Sequence, residues 1–262
     1  MKTAKKFLPF ILVLLVWHVS AELGLFNRNL LPGPASVLSA FVRLARSGHI
    51  FVHAASSIKR VTAGFIIASF LGIMLGTLSG YSRRLSDMLK PLFEFLRPIP
   101  PIAWIPLAIL WFGLGDKPAI FIVFVGSFFP IFIYSYWGVR STRMAYIDIA
   151  KNFGSGRLLV FTDIILPGSL PSLMRGLKIG LALAWTSVIS AELVGAQSGL
   201  GYMIQLNRIM LKTDNIIAGM ISIGLIGLGM IYLMRILERK LTFWNRGRLE
   251  TADALPKKRS KN

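Results

Sequence analysis

The chain contains no cysteine, which excludes disulfides, thiolate metal sites and cysteine nucleophiles. It contains no Gly-Lys pair, so the phosphate-cradling pattern GxxxxGK[ST] is absent and the chain is not expected to hydrolyse ATP itself. Charge is scarce: 16% of the 262 residues are charged, against about 25% in an ordinary soluble domain. Acids are the scarcer sign, 11 against 30 Lys and Arg. In place of charge there are apolar residues, 54% of the chain, gathered in long blocks. Several blocks reach the roughly 20 helical residues that cross a hydrocarbon core. Barrel strands alternate at every second residue, and these blocks do not. The expectation is an all-α integral membrane protein with about six transmembrane helices. The net charge of +19 would suggest nucleic acid in a soluble chain. In a membrane protein it reads as basic residues collected in cytoplasmic loops, and no nucleic-acid partner is expected.

The six spans are placed at about Phe7–Leu25, Ile58–Gly80, Pro91–Phe112, Ala119–Trp137, Leu177–Val194 and Ile216–Leu237. The first could be a cleaved signal peptide, since a basic start leads into a short apolar run and a small-residue VSA. An uncleaved span is preferred, because further spans follow. Residues 26–58 form a mixed stretch, with a Pro-Gly-Pro break and then an amphipathic pattern. About 22 of the 30 Lys and Arg fall on the N-terminal side of this topology. The positive-inside rule puts that side, with both termini, in the cytoplasm. Three regions follow: 1–54, the first span and an extracytoplasmic segment; 55–241, the transmembrane domain; and 242–262, a basic tail suited to anionic lipid.

The second span repeats a small residue at every fourth place: Gly64, Ala68, Gly72, Gly76 and Gly80. Lipid gives helices no hydrophobic reason to associate, so close backbone approach at small residues is what remains. This predicts a tight helix seam, within one chain or between two. The third span carries Pro98, Pro100, Pro101 and Pro106. Proline removes backbone donors, and broken backbone at membrane depth survives only inside protein or against a wet cavity. Pro100, Pro101 and Trp104 therefore border a pathway or mark a structural kink. Glu192 lies at the end of the fifth span and, with Thr186, Ser187 and Ser190, offers a polar stripe. The stripe reads as pathway or gate, or the acid is bonded to a neighbouring helix. His49 and His53 supply two ligands of the four that structural zinc takes. No further His or Glu lies nearby in sequence, and no metal is expected.

Between the fourth and fifth spans lies a polar loop, 139–178. A first short helix is expected from about Ser141 to Phe153, with Ser141 or Thr142 as N-cap and Gly154 as its left-handed stop. Ser155 would cap a second helix starting near Gly156, which Pro167 and Pro171 would break before the fifth span. A short rigid helix with a glycine exit makes a knob suited to a cleft on another protein.

Within this loop Asp148-Ile149-Ala150, Gly154 and Ile165-Leu166-Pro167 resemble the EAA loop of ABC importer permeases. The family usually has Glu and Ala where this chain has Asp148 and Ile149. LRPIPPIAWIPLAILWFGLGD and AELVGAQSGLGYMI resemble the nitrate, sulfonate and taurine branch, and the similarity runs from about residue 55 to 240. The resemblance implies the type I importer permease fold, with two permease subunits around one pathway. Implied partners are a cytoplasmic ATPase subunit, which uses ATP and Mg, and an extracytoplasmic solute-binding protein. Asp148, Ala150, Gly154, Ser155, Leu166 and Pro167 would form the ATPase-coupling loop, and this chain would bind no cofactor. The implied cargo is a small anion, a sulfonate first. A secondary transporter or channel driven by an ion gradient is the rival, weakened by the few charges in the spans and the lack of a two-half repeat. A membrane scaffold without transport is a third reading.

Overall fold

The computed structural model describes residues 4–24, 27, 30–142, 146, 149–150 and 152–243. Among these, every regular element is helical. In chain order they are α1 (Ala4–Glu22), α2 (Pro34–Arg46), α3 (His49–Tyr81), α4 (Arg83–Leu96), a 3-10 turn at Pro101–Trp104, α5 (Ile105–Phe112) and α6 (Asp116–Arg140). After the loop come α7 (Arg157–Val160), a π turn at Phe161–Ile165, α8 (Leu166–Gly195), α9 (Leu200–Ile209) and α10 (Thr213–Leu241). Four helices are long and apolar enough to cross a membrane, and a fifth span arises if the bent pair α4 and α5 is taken as one. The 19 residues of α1 rise roughly 28 Å at 1.5 Å each, close to a hydrocarbon core of about 30 Å.

Several boundaries differ from the sequence expectation. The second span starts at His49 rather than near Ile58, so part of the mixed stretch is helix. The polar link after it is also helix. Ser82 caps it by accepting from the Leu85 N–H, and Leu85, Leu89 and Phe93 lay a half-buried stripe at four-residue spacing. The third span breaks into two helices at the proline-rich segment, as its prolines predict. The helix start expected just after Ser141 or Thr142 lies outside the described residues. The backbone N–H groups of Ser141 and Thr142 bond the Trp137 and Val139 carbonyls, so they finish α6.

Pro167 and Pro171 do not break the chain: helix runs on through both from Leu158 to Gly195. The Leu166 N–H bonds the Phe161 carbonyl, a π-type turn. The wider turn clears the preceding carbonyl from the Pro167 ring. Pro171 is held by packing: Ser172 Oγ donates to the Tyr134 carbonyl at 2.9 Å, and Gly176 lies against the Tyr134 side chain. The fifth span therefore begins at Leu158 rather than near Leu177.

The chain divides into two units. In the first, residues 1–64, 101–123 and 184–228, Ile105, Ala108, Ala119, Ile122 and Ala191 form the core, with Trp104 and Phe121 packed on it. Gly64 touches α6, where an added Cβ would lie 2.6 Å from the Ile120 carbonyl oxygen. Trp185 Nε1 donates to the Ile223 carbonyl at 3.1 Å. Arg43 reaches Asp214 and Asn215, both at 3.2 Å, and Asn215 Nδ2 donates to Asn207 Oδ1 at 2.8 Å.

In the second unit, residues 65–100, 124–183 and 229–262, Ala68 is fully buried beside Phe128, Ile131 and Phe132. Gly72 faces Ile131, Gly76 faces Phe132 and Ser135, and Gly80 faces Tyr136 and Val139. The small-residue repeat of α3 thus meets α6 of the same chain. Lys178 on α8 pairs with Glu238 on α10 at 2.8 Å.

Candidate functional site

The loop after α6 is built around one glycine. Residues 149, 150 and 152 are helical, and Gly154 turns out of that helix at φ +77°. The Ser155 N–H reaches back to the Ala150 carbonyl at 3.0 Å, the six-to-one bond of a Schellman stop. Ala150 packs inward on Val139, Val160, Ile165 and Phe161. The other side of the loop stays uncovered: Phe153 is 86% exposed, and Ile149, Leu158 and Leu159 are exposed too. The second short helix starts at Arg157. Leu166 and Pro167 stand exposed where the π turn passes into α8. Asp148 lies outside the described residues.

A second constellation lies in the first unit. Arg60 is buried to 2% and Glu192 to 0% side-chain exposure, and they meet at 2.8 Å. Arg60 also donates through Nε to Asp116 at 2.8 Å, and through Nη1 and Nη2 to the Ser198 carbonyl and hydroxyl, both at 2.6 Å. The other Glu192 oxygen accepts from Ser57 Oγ at 2.9 Å and from the Gly201 N–H at 3.0 Å. Ser57 in turn accepts from the Leu200 N–H at 2.9 Å. A buried charge survives only when paired and hydrogen-bonded, and both charges here meet that condition.

Glycine makes room for the cluster. Gly199 sits at φ +107°, and a Cβ there would overlap the Glu192 carboxylate. At Gly201 a Cβ would come within 2.7 Å of Glu192 Cβ. The cluster clamps the 196–199 turn onto the starts of α3 and α6.

The polar stripe is therefore not one surface. Glu192 is spent on Arg60 and Ser57, Ser187 is buried, and Ser190 bonds back to the Thr186 carbonyl at 3.1 Å. Pro100 is exposed at the α4–α5 bend, and Pro101 opens the 3-10 turn. Trp104 stands at the start of α5 and packs near Phe121, with a buried Nε1 that has no hydrogen-bond partner among the described residues. His53 Nδ1 accepts from the Gly199 N–H at 3.2 Å, and among the described residues no group of His, Asp and Glu could hold a metal.

The sequence pattern of the binding-protein-dependent transport system inner membrane components matches residues 68–243. The chain belongs to this family of ABC transporter permeases. Two relatives show the branch. The taurine transport system permease protein TauC of Escherichia coli is 34% identical over 238 residues, 89% of this chain and 86% of that one. SsuC of Bacillus subtilis, assigned to aliphatic sulfonates transport as a permease, is 34% identical over 232 residues, 88% and 84% of the two chains. Among solved structures, the MetNI methionine ABC transporter in an inward-facing conformation superposes with TM-score 0.56 at 18% identity, covering 71% of this chain and 92% of that chain. This likeness carries the fold: a multi-pass type I importer permease.

Sequence reasoning for the permease singled out Glu192 but not Arg60, Ser57, Asp116 or Ser198. The available signal was the pairing rule for charges in spans: Lys59 and Arg60 are adjacent cations at the edge of an apolar block, and Glu192 is a lone acid in another.

Proposed function

We propose that this permease is the membrane subunit of an ATP-driven importer for a small anion of the sulfonate, taurine or nitrate type. A solute-binding protein would deliver the anion outside, and two copies of the chain would surround one pathway. A separate ATPase, using ATP and Mg, would dock on the 148–167 loop, with both termini on that cytoplasmic side. The observation that carries the docking is the loop itself: a rigid Gly154 stop with Phe153 86% exposed beside it. ATP-driven closure of the ATPase would then move the loop, and the loop would move the helix that begins at Leu158. The relatives' substrates support an anion, and a sulfonate is the first choice.

An ion-gradient mechanism is disfavoured by the buried charges. Among the described residues the fully buried charged side chains are Arg60 and Glu192, and each is committed to the other. Co-purification from mild detergent tests the proposal. An ATPase should accompany the chain and be lost in Phe153→Asp. Vesicles holding the complex and its binding protein should take up taurine or an alkanesulfonate only with ATP inside the ATPase compartment. A chain that purifies alone and moves solute without ATP would overturn the reading.

A further inference from the structure

The second unit contains a cavity of about 340 Å³ that the transport reading does not use. It lies where the ends of α3 and α6 meet α4. Lys90, Arg97 and Arg140 line it, against one acid, Glu94. The acid does not neutralise them. Glu94 stands 3.8 Å from Lys90 with both side chains about two-thirds exposed, a contact worth little in water. Arg140 is bonded to the Tyr136 hydroxyl and lies over that ring, with no carboxylate on it among the described residues. Arg97 has no ion pair among the described residues.

The cavity also holds an unmatched donor. Ser79 lines it, is 1% exposed, and its hydroxyl has no hydrogen-bond partner among the described residues. Burying such a group unpaired costs about 1–3 kcal/mol, and a bound acceptor would remove that penalty. Tyr136 accepts from Arg140, which leaves its own hydroxyl proton for Ser86, 3.1 Å away, or for a ligand. The remaining wall is aromatic, with Phe93 and Trp137 prominent.

Cations, buried hydroxyl donors and an apolar lining select for one chemistry. We infer that this cavity binds a tetrahedral oxyanion carried on an apolar stem, a phosphate or sulfonate head with an alkyl chain. Arg supplies forked donors for the oxygens, Ser79 supplies the inner hydrogen bond, and the aromatic wall takes the first carbons of the stem. The volume is at the lower end of ligand sites, which suits a head and a short stem rather than a whole lipid. Two sources offer this chemistry: an anionic phospholipid of the adjacent leaflet and a soluble alkanesulfonate. The inference does not depend on which solute the permease carries.

The test uses the full chain, purified in mild detergent with whatever subunits accompany it, and native mass spectrometry. The probes are dioleoyl phosphatidylglycerol, dioleoyl phosphatidylcholine and octanesulfonate, titrated separately. The expected result is one saturable adduct of phosphatidylglycerol or octanesulfonate, each displacing the other, with phosphatidylcholine much weaker. Arg97→Gln and Arg140→Gln should each weaken the adduct about tenfold, the loss of one charge-assisted hydrogen bond. Ser79→Ala should weaken it without lowering thermal stability, and Arg97→Lys should restore part of what Arg97→Gln loses. Tighter phosphatidylglycerol binding assigns the site to lipid, and tighter octanesulfonate binding assigns it to a soluble anion. Equal binding of phosphatidylcholine and phosphatidylglycerol with no octanesulfonate adduct overturns the inference. So do unchanged affinities in both arginine variants. The two arginines are exposed, so the variants are expected to fold, and melting curves verify it.

Discussion

Arg60 and Glu192 stand 2.8 Å apart with almost no side-chain surface left to solvent. Each is the other's main reason for being tolerated there. Their residues are 132 positions apart in the chain, so this contact ties α3 to the end of α8.

Removing one partner should cost far more than removing both. Glu192→Ala leaves buried Arg60 with only the half-exposed Asp116 as counter-charge and should destabilise clearly, toward the roughly 3–5 kcal/mol of a broken buried pair. Arg60→Met with Glu192→Met should recover much of that loss. Thermal unfolding in detergent measures the three chains, and equal loss in single and double variants would contradict a coupled pair.

The α3–α6 seam should tolerate no side chain at Gly76. An added Cβ would sit 2.6 Å from both Ser135 Cβ and the Phe132 carbonyl oxygen. Gly76→Val should therefore sharply reduce folded yield, while Gly224→Ala, with nothing within 4 Å, should not. Size-exclusion profiles of fluorescent fusions provide the comparison.

At the loop, Gly154→Ala forces a side chain into the left-handed region at φ +77°, a strain of about 1–2 kcal/mol. Phe153→Asp changes only an exposed side chain. Both should lower transport and ATPase retention, and Phe153→Asp should leave the melting temperature unchanged. Wild-type uptake in Phe153→Asp would remove that residue from the docking surface.

Trp104→Phe should be neutral or stabilising. The substitution keeps the packing near Phe121 and deletes a buried N–H that has no acceptor, a penalty of about 1–3 kcal/mol. A clear loss of transport without loss of stability would give the indole N–H a role in the pathway.

Much of this architecture is legible from residue order alone, and the exceptions have physical causes. Gly154 is readable as a helix stop because a left-handed residue has few substitutes. The spacing of Gly64, Gly72, Gly76 and Gly80 shows a seam, but spacing does not name the partner helix. That needs the contacts with Val123, Ile131, Ser135 and Val139. Pro167 and Pro171 mislead because proline is a local rule, and here a wider turn and the packing of Ser172 and Gly176 on Tyr134 outweigh it. Arg60 escapes notice because it stands next to Lys59 and reads as an interface charge. Its neighbour is indeed largely exposed while Arg60 is buried, a difference that a helix's rotation creates and a string of letters does not display.

The absence of a side chain at Gly199 has a consequence for inheritance. The space a β-carbon would take is filled by the carboxylate of Glu192. Position 199 can therefore accept a larger residue only in a lineage that has already given up the acid. An acid arriving at 192 requires a glycine waiting at 199. The two positions should drift as a pair, and a library randomised at both should yield functional chains in correlated combinations.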